Sequence, residues 1–179
     1  NSPSTTIVSG DRAPLEGWIA QLEAEGIFAR VLDVDFASHC FHMDPLCAPF
    51  RDAIASLRPA ETKIPFHSTV DGEIREGVSL DADYWVRNLR EAVSFDRGLE
   101  GVFGEGAEIV LEVSPHPSMP RAGEEIAKAA GKEAAYVPSL IREQGESASL
   151  AAHFGALCGD GAARVFTCDA PAGGGPRLA

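Results

Sequence analysis

The feature of this sequence that most constrains its fold is the alternation of helix-like and strand-like segments along the chain. In residues 14–24 the apolar side chains recur every three or four positions, which is typical of an amphipathic helix. Residues 108–113 instead form a short apolar run bounded by turn-forming residues, which is typical of a strand. Because strands that alternate with helices usually lie side by side, we predict an α/β fold with a largely parallel sheet.

The same patterns predict the remaining elements. The predicted helices cover residues 14–24, 49–57, 82–89, 95–103, 121–130 and 150–157. The predicted strands cover residues 5–8, 27–34, 64–70, 108–113 and 136–137. Asp11 and Asp81 are expected to cap the first and third helices, and Gly131 to stop the fifth. After residue 140 the sequence is rich in Ala, Ser and Gly, and its glycine-rich tail is typical of a linker.

The acidic composition restricts the possible partners. The chain has 15 Lys and Arg against 27 Asp and Glu, a net charge of −12. Because such a surface repels phosphate backbones, no nucleic acid is expected as a partner, and an acidic protein would have to dock locally. No apolar run approaches the roughly 20 residues of a membrane span, so no membrane is expected either. The four cysteines form no CxxC pair, which is typical of free thiols in the cytoplasm.

The stretch between Asp35 and Asp44 is the richest in reactive side chains, and it leaves three chemistries open. A metal site would combine His39 with His42, which are spaced for one helical face. Asp35 or Asp44 would add a carboxylate, but no further His or Cys cluster supplies another ligand. A thiol nucleophile would be Cys40 activated by His39 or His42, although adjacent side chains point in different directions. The third chemistry is a histidine that acts as general base for a serine.

A serine nucleophile normally lies on a sharp turn with the pattern Gly-x-Ser-x-Gly, and this pattern is absent from the sequence. The nearest string, around Ser147, lacks the second glycine and lies in the polar region after the core. A complete nucleophilic site therefore cannot be assembled from these residues alone. The other histidines, His67, His116 and His153, are expected to be structural or at the surface.

Several motifs, taken in order, resemble the second half of the acyltransferase domains of modular type I polyketide synthases. More distantly, they resemble malonyl-CoA:acyl-carrier-protein transacylases. The similarity covers roughly residues 1–143. The motifs are Val34-Asp-Phe-Ala-Ser-His39, Ile64-Pro-Phe-His-Ser-Thr-Val-Asp-Gly72, Tyr84-Trp-Val-Arg-Asn88 with its continuation to Phe95, and Leu111-Glu-Val-Ser-Pro-His-Pro117.

The resemblance implies a specific division of the chain. Residues 1–35 would be part of a ferredoxin-like small subdomain, and residues 36–140 the C-terminal part of an α/β-hydrolase-like acyltransferase subdomain. Residues 141–179 would be the linker that follows the domain. The serine-bearing turn, the oxyanion loop and the arginine that binds the substrate carboxylate would precede Asn1. We therefore expect the isolated chain neither to fold stably nor to transfer acyl groups.

The resemblance also implies an activity. Such domains move a malonyl or alkylmalonyl extender unit from coenzyme A, through a serine ester, to the phosphopantetheine thiol of an acyl carrier protein. The position of the catalytic base matches His39, and a backbone carbonyl that orients this ring matches Asn88. No covalently bound cofactor is implied. The implied partners are the acyl carrier protein, the acyl-CoA substrate, the missing N-terminal half and a neighbouring ketosynthase.

The residues before the histidine bear on substrate choice. In the family, Tyr-Ala-Ser-His accompanies methylmalonyl units and His-Ala-Phe-His accompanies malonyl units. Here the sequence is Phe36-Ala37-Ser38-His39, which is close to the first but lacks the phenol hydroxyl. Small side chains at Ala37 and Ser38 would leave room for an α-branch, which an apolar pocket discriminates by about 1–3 kcal/mol.

Three interpretations remain open at this point. The chain is the C-terminal portion of an active acyltransferase, an inactive relative that serves as a docking or scaffold module within a synthase, or an unrelated α/β domain that binds a ligand or partner. The sequence that precedes Asn1 discriminates between them, because only the first interpretation requires a Gly-His-Ser-x-Gly turn there.

Overall fold

The computed structural model describes residues 1–157 of the 179 and contains two compact units. The first unit comprises Asn1–Glu108 and Arg121–Ala135, and the second comprises Ile109–Pro120 and the described residues from Tyr136. None of the helices in the described residues is long and apolar enough to cross a membrane. The glycine-rich tail predicted as linker lies outside the described residues.

The described residues contain helices in alternation with short strands. In chain order these are α1 (Arg12–Ala24), α2 (Asp44–Ala53), β1 (Phe66–His67), β2 (Ile74–Arg75), α3 (Ala82–Arg90), α4 (Phe95–Gly104), β3 (Ile109–Glu112), α5 (Pro120–Ala129), β4 (Ala135–Pro138) and α6 (Glu146–Leu157). Single 3₁₀ turns, Phe41–Met43 and Gly77–Ser79, precede α2 and α3. The chain is therefore of mixed α/β structure, as its sequence predicts.

The core of the first unit is formed by buried side chains of α3, α4 and α5. Phe103 of α4 and Ile126 of α5 are fully buried, and Tyr84 of α3 is nearly so. Burial of a side chain as large as Phe103 or Ile126 contributes about 1.5–3 kcal/mol to folding. In α3 the buried residue is Tyr84, whereas Trp85, Val86 and Leu89, which predict this helix in the sequence, are only half-buried.

An antiparallel hairpin, β1–β2, is attached to the start of α3. Phe66 pairs with Arg75 and His67 with Ile74. After β1, the hydroxyl of the fully buried Ser68 lies 3.0 Å from that of Tyr84 and accepts a hydrogen bond from the backbone of Val70 at 3.1 Å. The start of α3 is capped by Asp81, whose carboxylate accepts a hydrogen bond from the Tyr84 amide at 2.9 Å, as predicted.

Helix α4 approaches the hairpin so closely that one position on it has room only for glycine. A Cβ atom at Gly101 would lie 2.6 Å from Nδ1 of His67. The side chain of His67 is only 8% exposed and cannot turn away into solvent. His67 is thus buried against α4, which agrees with the structural rather than the surface alternative.

Strands β3 and β4 pair in parallel. The amide of Ala135 donates to the carbonyl of Glu108 at 2.9 Å, and the amide of Ser139 donates to that of Glu112 at 2.8 Å. The second bond lies four residues further on in both segments, so the two strands run in the same direction. In the described residues this is a two-stranded pair rather than the larger parallel sheet that the alternation predicts.

Two predicted strands, residues 5–8 and 27–34, are wrong. Neither segment is paired in a sheet within residues 1–157. Thr5 forms only a local bridge with Ser2, and the amide of Ile27 donates back to Leu22 at the end of α1. A strand needs a neighbouring strand for its backbone hydrogen bonds, and its side-chain pattern alone does not provide one. The predicted strand at 64–70 is likewise reduced to β1, and α2 begins at Asp44 rather than at residue 49.

Candidate active site

His39 lies in a sharp bend just before the 3₁₀ turn that precedes α2. Its φ angle is +55°, in the left-handed region that few residues other than glycine adopt. The next residue, Cys40, is buried, and its thiol lies 3.4 Å from the carbonyl oxygen of Ala37. The carbonyl of Cys40 accepts a hydrogen bond from the amide of Met43 at 2.9 Å. These contacts anchor the bend.

One ring nitrogen of His39 is engaged by the main chain. Nδ1 lies 3.0 Å from the carbonyl oxygen of Glu91. Because a carbonyl oxygen can only accept, this hydrogen bond requires the proton on Nδ1. The neutral ring then carries its lone pair on Nε2, for which the described residues provide no hydrogen-bond partner. A half-buried imidazole in this state can accept a proton at Nε2 and return it.

The carbonyl that contacts the ring belongs to Glu91, and the prediction of Asn88 is wrong. Asn88 lies inside α3, where carbonyls point along the helix axis. Glu91 follows the last helical residue, Arg90, and its ψ of 161° turns its carbonyl out of the helical direction. The sequence motif identifies the correct segment but not which of its carbonyls leaves the helix.

The side chain of Glu91 is also held in place. Arg87, one turn earlier, donates two hydrogen bonds to its carboxylate, at 2.9 and 3.1 Å. These bonds hold the pKa of Glu91 below its ordinary value of 4.5. The carboxylate is thus ionised and bound to Arg87, while the carbonyl of the same residue contacts His39.

The side chains that the metal and thiol alternatives would use are engaged in other contacts. Nε2 of His42 lies 2.9 Å from a carboxylate oxygen of Asp11, which occupies the N-cap position of α1 without capping it. Asp44 forms an ion pair with Arg90. Among residues 1–157, no three His, Cys, Asp or Glu side chains lie together as a metal site. The thiol of Cys40 is buried and faces a backbone carbonyl, as expected of a structural cysteine.

The three residues before His39 differ in exposure. Phe36 is 68% exposed, whereas Ala37 and Ser38 are half-buried beside the histidine. The two small residues that precede His39 are thus less exposed than the aromatic residue before them.

In the second unit, the carboxylate of Glu112 binds the loop that follows β3. Glu112 accepts hydrogen bonds from the amides of Ser118 and Met119 at 2.9 and 3.3 Å and from the hydroxyl of Ser114 at 3.1 Å. Burial acts to raise the pKa of Glu112, but these bonds outweigh it and the pKa is lowered. His116 in the same loop accepts a hydrogen bond from the amide of Arg142 at 3.3 Å, which agrees with a structural role.

Comparison with known proteins identifies the family. Residues 1–158 match the model described as "Acyl transferase domain". The chain belongs to the acyl transferase domain family. Among similar proteins of this family, polyketide synthase GfsE of Streptomyces halstedii is 38% identical over 145 residues, which are 81% of the chain. The spectinabilin polyketide synthase system protein NorA of Streptomyces orinoci is 40% identical over 151 residues, or 84% of the chain.

The solved acyl transferase domains have the same fold. The acyltransferase domain from module 8 of the salinomycin polyketide synthase is 33% identical and superposes with a TM-score of 0.76 over 81% of the chain. The chain spans 34% of that structure, 4% of GfsE and 8% of NorA. The resemblance seen in the motifs is confirmed, and the chain corresponds to part of an acyl transferase domain.

Proposed function

We propose that this chain is the C-terminal part of an acyltransferase that moves a malonyl or alkylmalonyl unit from coenzyme A to an acyl carrier protein in polyketide biosynthesis. Family membership supports the reaction class. The observation that carries the proposal is the contact of His39 Nδ1 with the carbonyl of Glu91, which leaves Nε2 free to act as a base. His39 is the catalytic residue that this chain supplies.

In the first half-reaction, Nε2 of His39 takes the proton of a serine hydroxyl as its oxygen attacks the thioester carbonyl. The carbon–sulfur bond breaks, and the imidazolium returns the proton to the departing coenzyme A thiolate. In the second half-reaction, Nε2 takes the proton of the phosphopantetheine thiol. The thiolate attacks the serine ester, and the serine oxygen leaves and is reprotonated. The hydrogen bond to Glu91 keeps the ring aligned in both directions.

The serine would be supplied by an N-terminal half that packs against the first residues of this chain. Phe28, Val34 and Phe36 are 86%, 66% and 68% exposed, far more than isolated surface apolar residues need to be. A family domain of which this chain spans 34% has enough additional sequence to cover them. In this proposal, residues 1–35 belong to a ferredoxin-like subdomain, residues 36–140 to an α/β-hydrolase-like subdomain, and residues 141–179 to the following linker.

We also propose the substrate class and partners. Ala37 and Ser38, the two small residues that precede His39 in the sequence, would leave room for an α-methyl group, so methylmalonyl-CoA is the expected donor, ahead of malonyl-CoA. Phe36 lacks the hydroxyl of the Tyr in the family's methylmalonyl motif. We expect this difference to weaken the preference for methylmalonyl-CoA without reducing the space for its α-methyl group. The acceptor is a carrier protein with its phosphopantetheine arm, the neighbouring domain is a ketosynthase, and the location is the cytoplasm.

The test uses the complete domain and intact-mass measurement of the acyl-enzyme formed from a panel of acyl-CoA donors. His39→Ala is expected to lower the transfer rate at least about 100-fold, because a positioned general base contributes about 10² to 10⁴. The matched control is His42→Ala, which removes a ring three residues away that binds Asp11 instead. Near-normal transfer by His39→Ala would refute His39 as the catalytic base, whereas an unmodified complete domain that accepts no acyl-CoA donor would favour an inactive docking module.

A further inference from the structure

Two ion pairs join α2 and α3 at opposite ends of the two helices. At one end, Asp44 in the first turn of α2 binds Arg90 in the last turn of α3. At the other end, Arg51 in the last turn of α2 binds Asp83 in the first turn of α3, with 2.6 Å between the charged atoms. Each charge also suits the dipole of its own helix. Chemically, the two pairs are equivalent.

Their positions relative to His39 are not equivalent. Asp44 begins the helix that follows the His39 bend, and Arg90 directly precedes Glu91, whose carbonyl binds the ring. The Asp44–Arg90 pair therefore bridges the two backbone segments that the His39–Glu91 hydrogen bond also bridges. The Arg51–Asp83 pair lies seven residues further along α2, about 10 Å away at 1.5 Å per residue.

We propose that Asp44 and Arg90 are positioning residues that keep the ring of His39 in register with the carbonyl of Glu91. The inference rests on the proposed function of His39. The bend that carries His39 has a left-handed backbone, so it stays in that shape only if its surroundings hold it. The side chains of Asp44 and Arg90 are 58% and 37% exposed, and ion pairs this accessible contribute little to global stability. Their effect is therefore local, on the geometry of the bend.

The test compares the two ends of the helix pair in the complete acyl transferase domain. Asp44→Asn and Arg90→Gln are expected to lower kcat about two- to fivefold, the range over which an exposed ion pair shifts an equilibrium, with KM for the acyl-CoA changed less than about twofold. Arg51→Gln and Asp83→Asn, whose side chains are 55% and 65% exposed, are the matched controls and are expected to retain the normal kcat. Asp44→Glu, which keeps the charge, is expected to recover most of the rate.

A second measurement reports on the ring itself. In protein labelled with ¹⁵N in its histidine rings, the two nitrogen resonances of His39 show which nitrogen carries the proton, and His39→Ala assigns them. Normal protein and the Arg51→Gln control are expected to hold the proton on Nδ1. Arg90→Gln is expected to show a mixture of the two forms, because the ring is no longer held against the carbonyl.

The outcomes separate the two hypotheses. An equal fall in kcat at both ends would show that the ion pairs only support helix packing, and would overturn the positioning role. A normal rate and a normal ring signal in Arg90→Gln, together with an inactive His39→Ala, would overturn the inference and leave the proposed function standing. An active His39→Ala would overturn both.

Discussion

At the scale of single residues, the main chain and the side chain of Glu91 have separate partners. Its carbonyl accepts the hydrogen bond of His39 at 3.0 Å, while its carboxylate is bound by Arg87. A contact made by a backbone atom survives most changes of side chain. The identity of residue 91 therefore matters less than the backbone angle at which α3 ends.

This division predicts the behaviour of one substitution. Glu91→Gln keeps the carbonyl and can still accept hydrogen bonds from Arg87, so the transfer rate of the complete domain is expected to stay within about twofold of normal. Steady-state rates measured beside His39→Ala check this. A tenfold or larger loss in Glu91→Gln would mean that the carboxylate, rather than the carbonyl, acts on the ring.

The sequence identifies His39 as the candidate base through its motif, but it does not identify Glu91. The choice between Asn88 and Glu91 depends on the ψ angle at the helix end, which side-chain patterns do not specify. The ion pair of Asp44 with Arg90 is likewise not predictable from local spacing, since its members are 46 residues apart. Motifs locate a reactive side chain, whereas its partners depend on tertiary structure.

At the scale of elements, the N-terminal segment is attached to α5 by a single carboxylate. The hydroxyls of Ser2 and Ser4 donate to one oxygen of Glu125, and Arg121 donates to the other at 3.0 Å. The Ser2, Ser4 and Arg121 hydrogen bonds together lower the pKa of Glu125 from 4.5 to about 2. The ionised carboxylate is therefore favoured in the folded state.

The lowered pKa gives a pH-dependent stability with a definite sign. The contribution of Glu125 is fully present above about pH 4.5, and it is lost as the pH falls towards about 2. Glu125→Gln, which resembles the protonated acid, is expected to lower the urea midpoint of the complete domain at neutral pH. The difference from normal protein should shrink steadily below the pKa of a free glutamate.

The control for this experiment is Glu124→Gln at the neighbouring position, where the described residues provide no ion pair or side-chain hydrogen bond. It should leave the midpoint unchanged across the same pH range. A gap between Glu125→Gln and normal protein that persists at low pH would contradict the assignment of the effect to ionisation of Glu125.

Helices and strands differ in how far the sequence predicts them. The signals that predict helix α3 are all local: its cap, its apolar residues and its last-turn arginines lie within the nine helical residues or next to them. The prediction of this helix is confirmed. The strands predicted at residues 5–8 and 27–34 carry the right side chains but lack a paired neighbour in the described residues. A helix satisfies its backbone within one segment, while a strand depends on a distant one.

At the scale of the whole molecule, many large apolar side chains are exposed in the first part of the chain. In the first 46 residues, the large apolar side chains that are at least two-fifths exposed are Ile7, Val8, Trp18, Ile27, Phe28, Val31, Leu32, Val34, Phe36, Phe41 and Leu46. Five of these side chains lie within residues 28–36. The proposed N-terminal half of the domain would cover them.

Residues 1–179 expressed alone are therefore expected to self-associate and to show no cooperative melt. Co-expression with the segment that precedes them should give a monodisperse species with serine-dependent acylation. Light scattering coupled to size-exclusion chromatography measures the first property, and intact-mass analysis measures the second. A monomeric chain that melts cooperatively and becomes acylated on its own would contradict both the division of the domain and the source of the nucleophile.

The left-handed backbone at His39 affects which substitution best removes the imidazole. Alanine removes the imidazole and its hydrogen bond to Glu91 but keeps the Cβ that a φ of +55° disfavours, so its phenotype combines lost chemistry with a bend that has lost one of the contacts holding it. Glycine adopts the same angle without that penalty. A glycine at this position is thus the replacement suited to trapping an unreacted acyl donor in a quiescent, well-folded enzyme.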